Sequence, residues 1–359
     1  MPTTNRLATL EELAAATGPC VSVVCPLDHL SPGNPHDTQT LAELRDAAAR
    51  ELQARRPDRD TTARVLQNLD DAFASIDRAH PGNAVAIFAG VDIGTVTPLM
   101  TATNPRVVVG DRFALSELAG DAATIVSVRV LVLSLAQSRC IDLSGAAAHE
   151  RHDAGFPVKV EAPTREETPH RDFALDEHEH AEAARFVLRA VDAALEKVHE
   201  ADPRPLVLVG AERDLSYWDE VSGSSARVVG RVHGNYEWAG ANEIAALVRP
   251  ALASSRHARD EAAANEVREK LTNGAVCGIA DVWAAARTGR GHRLVVEQAY
   301  HFDGRLDADR LQPATREAPD SFDAVDDAVR EQICHDGEVE VVDEGVLADL
   351  GRIAMVLRY

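Results

Sequence analysis

Apolar residues recur along the first third of the chain with two different spacings. Between Thr38 and Arg55, leucine and alanine fall at three- and four-residue steps, which places them on one face of a helix. A second helix is predicted over residues 61–78. Short apolar segments then alternate with glycines, which is typical of strands joined by turns. We therefore predict an N-terminal α+β domain over residues 1–125 with a mostly antiparallel sheet. Its predicted strands are Val21–Cys25, Ala84–Phe88, Thr95–Met100 and Arg106–Val109.

The middle third alternates strands with helices. Val128–Leu135 is a continuous apolar run, and Ser138–Leu143 follows it as a hairpin partner. Pro205–Gly210 is a second buried strand, with a predicted helix before it and another, over residues 241–253, further along the chain. Alternating strands and helices imply a parallel sheet with helical crossovers. We predict a central α/β domain over residues 126–255.

A polar stretch separates the hairpin from the helix that follows it. Residues 145–176 contain three prolines, and histidines recur between positions 149 and 180. Connections of this length in a folded domain are usually functional or disordered. We predict a long exposed loop that projects from the central domain.

For the last third of the chain, residues 256–359, we predict a three-layer α/β/α domain. Its first helix is alanine- and charge-rich, and residues 303–320 form a polar connection between later elements. The order of helices and strands gives a domain of ordinary size. The predicted helices are 256–271, 279–287 and 322–334, and the predicted strands are 275–277, 293–297, 339–342 and 353–357.

Charge and hydropathy restrict the partners. The formal net charge is −21, which repels nucleic acid at long range but leaves room for a local arginine patch. No apolar run approaches the roughly 20 residues that a membrane span needs. The N-terminus lacks the basic region followed by an apolar block that marks a secretory signal. We expect a cytoplasmic monomer with neither membrane nor DNA as a partner.

Histidine and carboxylate residues near the polar stretch suggest a metal site only weakly. Asp176, His178 and His180 carry the side-chain types that bind zinc, but no H-E-x-x-H spacing is present. A solvated polar segment explains these residues without a metal, and we expect neither a metal nor a cofactor. The three tryptophans, Trp218, Trp238 and Trp283, are predicted to pack in the core or at its edge.

Two groups of residues are candidates for contact with RNA. In the turn Gly289–Arg293, Gly289 and Gly291 would let the backbone approach a phosphate, while Arg290 and Arg293 would neutralise it. A plain turn leading into a strand explains the same residues. The second group is Arg151, Arg165 and Arg171 in the polar stretch, where intervening glutamates make a solvated surface the alternative.

Three segments resemble the Pelota and archaeo-eukaryotic release-factor group, and specifically its bacterial members. The C-terminal LADLGRIAMVLRY and the upstream GAVCGIADVWAAARTGRGHRLVV are similar to the third domain of that group. The order of hairpin, long loop, helix and RPLVLVGAERD is similar to its second domain. The resemblance covers roughly residues 125–359. It implies a ribonuclease-H-like central domain and a C-terminal domain of the kink-turn-binding ribosomal protein type.

The resemblance also implies a function, but this chain differs from the active members of the group in one motif. Active members carry Gly-Gly-Gln in the loop of the second domain, whereas ERHDAGFPVKVEAPTREETPHRDF holds one glycine and no glutamine. The resemblance therefore implies a non-enzymatic role on the ribosome by A-site occupancy, in rescue, hibernation or translation quality control, with a translational GTPase as a partner. One alternative is a hydrolase that acts on peptidyl-tRNA or RNA through the loop histidines and aspartate. Another is a protein-binding scaffold.

Overall fold

The structure is a computed structural model that describes residues 3–28, 31, 33–55, 58–77, 82–101, 103–123, 127–144, 147–160, 173–223, 227–316, 318 and 320–358. The chain forms two compact units, and the predicted mixed α/β fold is confirmed. One unit combines Met1–Thr124 with Arg259–Tyr359, and the other is Ile125–Ala258.

The N-terminal segment of the first unit builds a four-stranded antiparallel sheet. The strands lie in the order β3-β2-β1-β4. Val21 and Ile87 point to the face covered by α2 and α3, where Leu52 and Leu69 pack against them. The elements are α1 Thr3–Ala15, β1 Cys20–Pro26, α2 Pro35–Arg55, α3 Arg59–Ala74, β2 Ala84–Ala89, β3 Gly94–Leu99, β4 Arg106–Gly110 and α4 Ser116–Ala123.

The C-terminal segment of the first unit contributes a mixed sheet and a small antiparallel one. The mixed sheet has the order β10-β16-β11-β15, with only β11 and β15 parallel, and the small sheet has the order β13-β12-β14. The elements are β10 Ala275–Cys277, α8 Ile279–Arg287, β11 Gly291–Glu297, β12 Asp303–Asp307, β13 Arg310–Pro313, β14 Phe322–Asp323, α9 Ala324–Cys334, β15 Glu338–Val342, a 3-10 turn Ala348–Leu350 and β16 Ile353–Leu357.

A single apolar core joins these two segments of the first unit. Phe88 and Leu118 from the N-terminal segment belong to the same buried cluster as Trp283, Leu294 and Met355 from the C-terminal segment. Apolar residues on the second face of the N-terminal sheet are therefore buried against the C-terminal segment. Removal of apolar surface from water is the main favourable contribution to this packing. Each segment still carries its own sheet, and the division of the chain into three domains stays a prediction.

The second unit is a five-stranded sheet with helices on both faces. Its order is β7-β6-β5-β8-β9, in which β5, β8 and β9 are parallel and β6 and β7 are antiparallel. The central parallel strand β8 is apolar and buried throughout, because both of its faces are covered. The elements are β5 Ser127–Val132, β6 Arg139–Ser144, β7 Ala147–Glu150, α5 Phe173–Ala201, β8 Leu206–Gly210, α6 Glu212–Val221, β9 Val228–His233 and the beginning of α7 Ala241–Lys270.

Two predictions about the later elements were wrong. The helices predicted over 241–253 and 256–271 form one helix, α7, which continues through Pro250. Residues 303–320, predicted as a polar connection, contain the hairpin of β12 and β13. The hairpin is mostly exposed, so it lacks the alternating apolar pattern that marks a half-buried strand. Although α7 has 30 residues, no described helix is long and apolar enough to cross a membrane.

The structure also corrects the loop predicted over residues 145–176 at both of its ends. Ala147–Glu150 forms the edge strand β7, and Ser138 forms a backbone bridge with Val158. Phe156 and Val158 are buried in the core of the second unit. Their burial holds this part of the segment against the core, although the residues around them are polar. The helix α5 begins at Phe173. Residues 161–172 lie outside the described part of the chain.

Candidate functional site

Arg151, a predicted RNA contact, belongs to a buried ion-pair network in the second unit. Asp142 accepts hydrogen bonds from Arg129 Nε at 2.8 Å and from Arg151 Nη1 at 2.7 Å. Arg151 also pairs with Asp153. Burial alone would raise the pKa of Asp142, but the hydrogen bonds from Arg129 and Arg151 outweigh it and the pKa is lowered. The guanidinium of Arg151 is therefore already neutralised within the protein, and its contact with RNA stays a prediction.

The other predicted residues of the polar stretch are only partly placed. Arg165 and Arg171 lie outside the described residues. Asp176, His178 and His180 fall in the first turns of α5, where the structure describes the backbone alone. A metal at these three residues stays a weak candidate from sequence.

The turn at Gly289–Arg293 has structural reasons for both of its glycines. Gly289 has a φ of +65°, and a Cβ there would lie 2.8 Å from the ring of His335. Gly291 is buried, and a Cβ would lie 2.1 Å from Gln332 Oε1. These contacts explain the glycines by packing, without a phosphate. Their role in RNA binding stays a prediction.

The two arginines of the same turn differ in their surroundings. Arg293 donates from Nη2 to Glu266 Oε2 at 2.7 Å and from Nη1 to Glu340 Oε2 at 3.3 Å. Arg290 is exposed, and the structure shows no ion pair for its side chain among the described residues. Arg290 is therefore available to an anion, whereas Arg293 serves the fold of the C-terminal sheet.

The first unit contains a cavity of about 400 Å³ that the sequence did not predict. Its walls come from the segment around β4 and α4 and from the segment between β11 and α9, which lie far apart in the sequence. Charged and aromatic side chains converge there, as they do in ligand sites. Among the lining residues are Arg106, Glu117, Tyr300, His301, Arg316 and Asp323.

Arg106 is the centre of a buried charge cluster at this cavity. Its Nη1 donates to Glu117 Oε1 at 2.8 Å, and its Nη2 donates to Asp323 Oδ2 at 2.7 Å and to Asp326 Oδ2 at 2.6 Å. His301 Nδ1 lies 2.8 Å from the same Asp323 oxygen. Three carboxylates thus face one guanidinium, which leaves an excess of negative charge before His301 is counted.

The pKa values in the cluster follow from this crowding. Burial raises the pKa of Asp326, and the charges of Asp323 and Glu117 add to the rise although Arg106 opposes it. Burial alone would lower the pKa of His301, but the hydrogen bond to Asp323 and the negative charges of Asp323 and Glu117 outweigh burial and the opposing charge of Arg106. The pKa of His301 therefore lies above its ordinary value. The cluster favours a protonated, cationic His301.

The cluster has the side chains of a metal site, but it already contains a cation. One ligand atom each from His301, Asp323 and Asp326 lie within 4.8 Å of one another, which is the spacing of a candidate divalent-cation site. Arg106 Nη2 occupies hydrogen-bonding positions on both aspartates. A metal there would compete with the guanidinium. No sequence signal could have found the cluster, because its members come together only through tertiary packing.

The tryptophans divide between core and surface. Trp218 and Trp283 are buried, as predicted. Trp238 was predicted to pack in the core or at its edge, and this was wrong, because its side chain is 87% exposed. It lies in the polar segment HGNYEWAG, which leads from the end of β9 to α7.

Comparisons with known proteins bear on the second unit most directly. Residues 129–290 match the family model described as bacterial archaeo-eukaryotic release factor family 3. No match was found among curated proteins.

Several solved structures are similar to the chain at low identity. The archaeal translation termination factor aRF1 is 16% identical, with 100% of this chain and 99% of that chain covered and a TM-score of 0.27. Dom34 of S. cerevisiae is 13% identical, with 77% and 80% covered and a TM-score of 0.41. Pelota of Archaeoglobus fulgidus is 14% identical, with 77% and 79% covered and a TM-score of 0.33.

These TM-scores carry no argument about domain arrangement or activity, whereas the family model matches a defined segment. Over that segment the predicted resemblance is confirmed. Residues 129–290 are therefore similar to bacterial archaeo-eukaryotic release factor family 3, and this segment is release-factor-like.

Proposed function

We propose that the chain is a cytoplasmic, ribosome-associated, release-factor-like protein that occupies the A site without peptide release of the GGQ type. Its role would be ribosome rescue, hibernation or translation quality control. The observation that carries the proposal is the family match over residues 129–290 in a chain that contains no Gly-Gly-Gln. The match supports the class of protein, and the missing motif argues against peptide release of the GGQ type.

The described part of the central segment supports a role without hydrolysis. Gly155, the one glycine between residues 150 and 173, lies in a turn with a φ of +100° and leads into buried Phe156. This stretch packs onto the core of its own unit. It does not present two adjacent glycines whose backbone could approach an ester and position a water.

The negative net charge and the internal ion pairs of the chain limit its contact with ribosomal RNA. The net charge of −21 opposes approach to phosphate, and internal carboxylates neutralise Arg151 and Arg293. Exposed Arg290 is the best placed of the predicted contacts in the described residues. With few phosphate contacts, binding should respond to salt with a shallow slope.

A translational GTPase is part of the proposal as a partner. Dom34 of S. cerevisiae is described as interacting with Hbs1, and archaeal Pelota is described bound to the ribosome with ABCE1. We extend a partner of the GTPase kind to this chain on the strength of the family alone. Delivery by such a partner would offset the repulsion between an acidic protein and the ribosome.

The test combines binding with chemistry. The protein is incubated with purified bacterial ribosomes that carry peptidyl-tRNA, and the pellet and the ester bond are assayed together. The proposal expects the protein to sediment with ribosomes at low salt while the ester stays intact. Sedimentation with peptide release would favour the hydrolase alternative. Absence from the pellet at every salt concentration would favour the protein-binding scaffold.

A further inference from the structure

Trp238 stands out from the surface of the second unit. The side chain is 87% exposed, the highest value among the large apolar residues that the structure leaves exposed. The other large exposed apolar side chains, such as Phe186 at 47%, retain about half of their burial. An exposed indole does not contribute the large hydrophobic free energy that its burial would give. A loop without a binding partner would therefore be expected to carry a polar residue at this position.

The backbone that carries Trp238 is held on both sides. Arg139 Nη1 donates to the carbonyl oxygens of Glu237 at 2.9 Å and of Ala239 at 2.7 Å, the residues before and after the tryptophan. Ser134 Oγ donates to Glu237 Oε2 at 2.6 Å. A buried arginine and a buried serine thus fix the two neighbours of one exposed side chain.

The start of the same loop is also fixed. Gly234 N donates to the carbonyl oxygen of Gly210 at 2.9 Å, and Ala239 N donates to that of Tyr236 at 3.0 Å. A Cβ at Gly234 would lie 2.6 Å from the ring of Tyr236, so the ring packs directly on the backbone. A braced loop has little entropy to lose when its side chain enters a partner, which favours binding.

The loop lies in acidic surroundings. Burial raises the pKa of Asp214 on α6, and the negative charge of Glu237 adds to the rise although Arg213 opposes it. Arg139, which contacts the loop backbone, is paired with Glu150. Arg213 on α6 lies over the ring of Tyr217 and keeps its charge beside Asp214. The carboxylates at or next to the loop and the adjoining helix starts are Glu212, Asp214, Glu237 and Glu243.

We propose that Trp238 anchors a docking surface for a basic protein that offers an apolar recess to the indole and cationic side chains to the surrounding carboxylates. Tryptophan is enriched among the residues that dominate binding energy, and charge complementarity selects the partner. The same carboxylates repel phosphate, which favours a basic protein over stacking on RNA bases. Resting on the proposed function, the partner is a basic protein exposed on the ribosome.

A photocrosslinker at position 238 tests the proposal. The full chain with Trp238 replaced by p-benzoylphenylalanine is irradiated on purified bacterial ribosomes, and the adduct is digested with ribonuclease or protease. The inference expects an adduct that survives ribonuclease and is lost on proteolysis. An RNA adduct, or no adduct from protein that still sediments with ribosomes, would overturn it. Failure of the wild-type chain to sediment would instead contradict the proposed function and remove the ribosomal partner with it.

A substitution measures the strength of the contact. Trp238→Ala should weaken sedimentation with ribosomes by at least about tenfold, as loss of a dominant interface residue does. The melting temperature should not change, because the side chain is exposed. Phe186→Ala on α5 is the matched control and should change binding less than about twofold. Equal effects of the two substitutions would contradict an anchor at Trp238.

Discussion

Arg106 Nη2 and Asp326 Oδ2 lie 2.6 Å apart although 220 positions separate the two residues in the sequence. The bond ties the first residue of β4 to the first turn of α9. Both side chains are buried, and the Ser116 backbone N–H donates to the other oxygen of Asp326. The N-terminal and C-terminal segments of the first unit are therefore joined by a polar contact as well as by the apolar core.

Replacing Arg106 should destabilise the first unit strongly. Arg106→Ala leaves the buried carboxylates of Glu117, Asp323 and Asp326 without their guanidinium, and breaking a buried pair in this way costs about 3–5 kcal/mol. Urea denaturation of the full chain measures the loss. Arg112→Ala is the control, because its side chain is 48% exposed and its partners Asp327 and Glu331 both keep Arg330 as a second cation. The control should cost about 0–1 kcal/mol, and equal losses would contradict the account of the cluster.

The stability that His301 contributes should depend on pH. Its pKa is raised above 6.5 in the folded protein, so the contribution is fully present below that value and is lost as the pH rises through the folded pKa. His301→Gln keeps a donor for Asp323 but cannot titrate. The difference in unfolding free energy between wild type and His301→Gln should shrink as the pH rises from about 6 to about 9. A difference that grows over this range would contradict the assigned protonation.

Gly291 should resist substitution for reasons of packing. A Cβ at this buried position would meet Gln332 Oε1 at 2.1 Å and Met355 Sδ at 2.8 Å. Gln332 cannot move freely, because its Nε2 donates to the carbonyl oxygens of His292 and Glu338. Gly291→Ala should therefore cost about 1–3 kcal/mol, measured by chemical denaturation.

A matched glycine checks that result. At Gly274 a Cβ would meet its nearest atom, Lys270 Cβ, at an ordinary 3.6 Å. Gly274→Ala should change the unfolding free energy by less than about 1 kcal/mol in either direction. If Gly291→Ala is equally harmless, the tight packing around Gln332 is wrong.

Strong periodicity made most of the fold predictable. The three- and four-residue spacing in α2 and the largely apolar sequences of β5 and β8 identified these elements, because burial imposes the pattern directly. The break predicted at residues 254–255 was wrong, because one helix, α7, runs through both predicted segments. The hairpin of β12 and β13 was missed because few of its residues are buried.

The candidate sites were far less predictable than the fold. Arg106 and Asp326 are ordinary charged residues in the sequence, and only the tertiary structure brings them together. Arg151 and Arg293 looked like available cations, since a sequence does not show which carboxylates will neutralise them. Trp238 looked like a core residue because exposure of tryptophan is uncommon.

Arg290 should contribute to ribosome binding through its charge. Arg290→Gln removes an exposed cation and should reduce the slope of log Kd against log salt by about one if the side chain contacts a phosphate. Arg50→Gln on α2 is the control, because it removes an equally exposed arginine at a position without a predicted role. Both variants should keep the wild-type melting temperature. Identical salt slopes for the two variants would exclude Arg290 from the interface.

The most direct test of the central claim is a cryo-EM reconstruction of bacterial ribosomes that carry peptidyl-tRNA and have been incubated with this protein. The account predicts density for the chain in the A site beside an intact peptidyl-tRNA in the P site. Ribosomes with an empty A site, whether the chain is bound elsewhere or absent, would contradict it. So would deacylated tRNA beside the bound chain, because release would then occur without Gly-Gly-Gln.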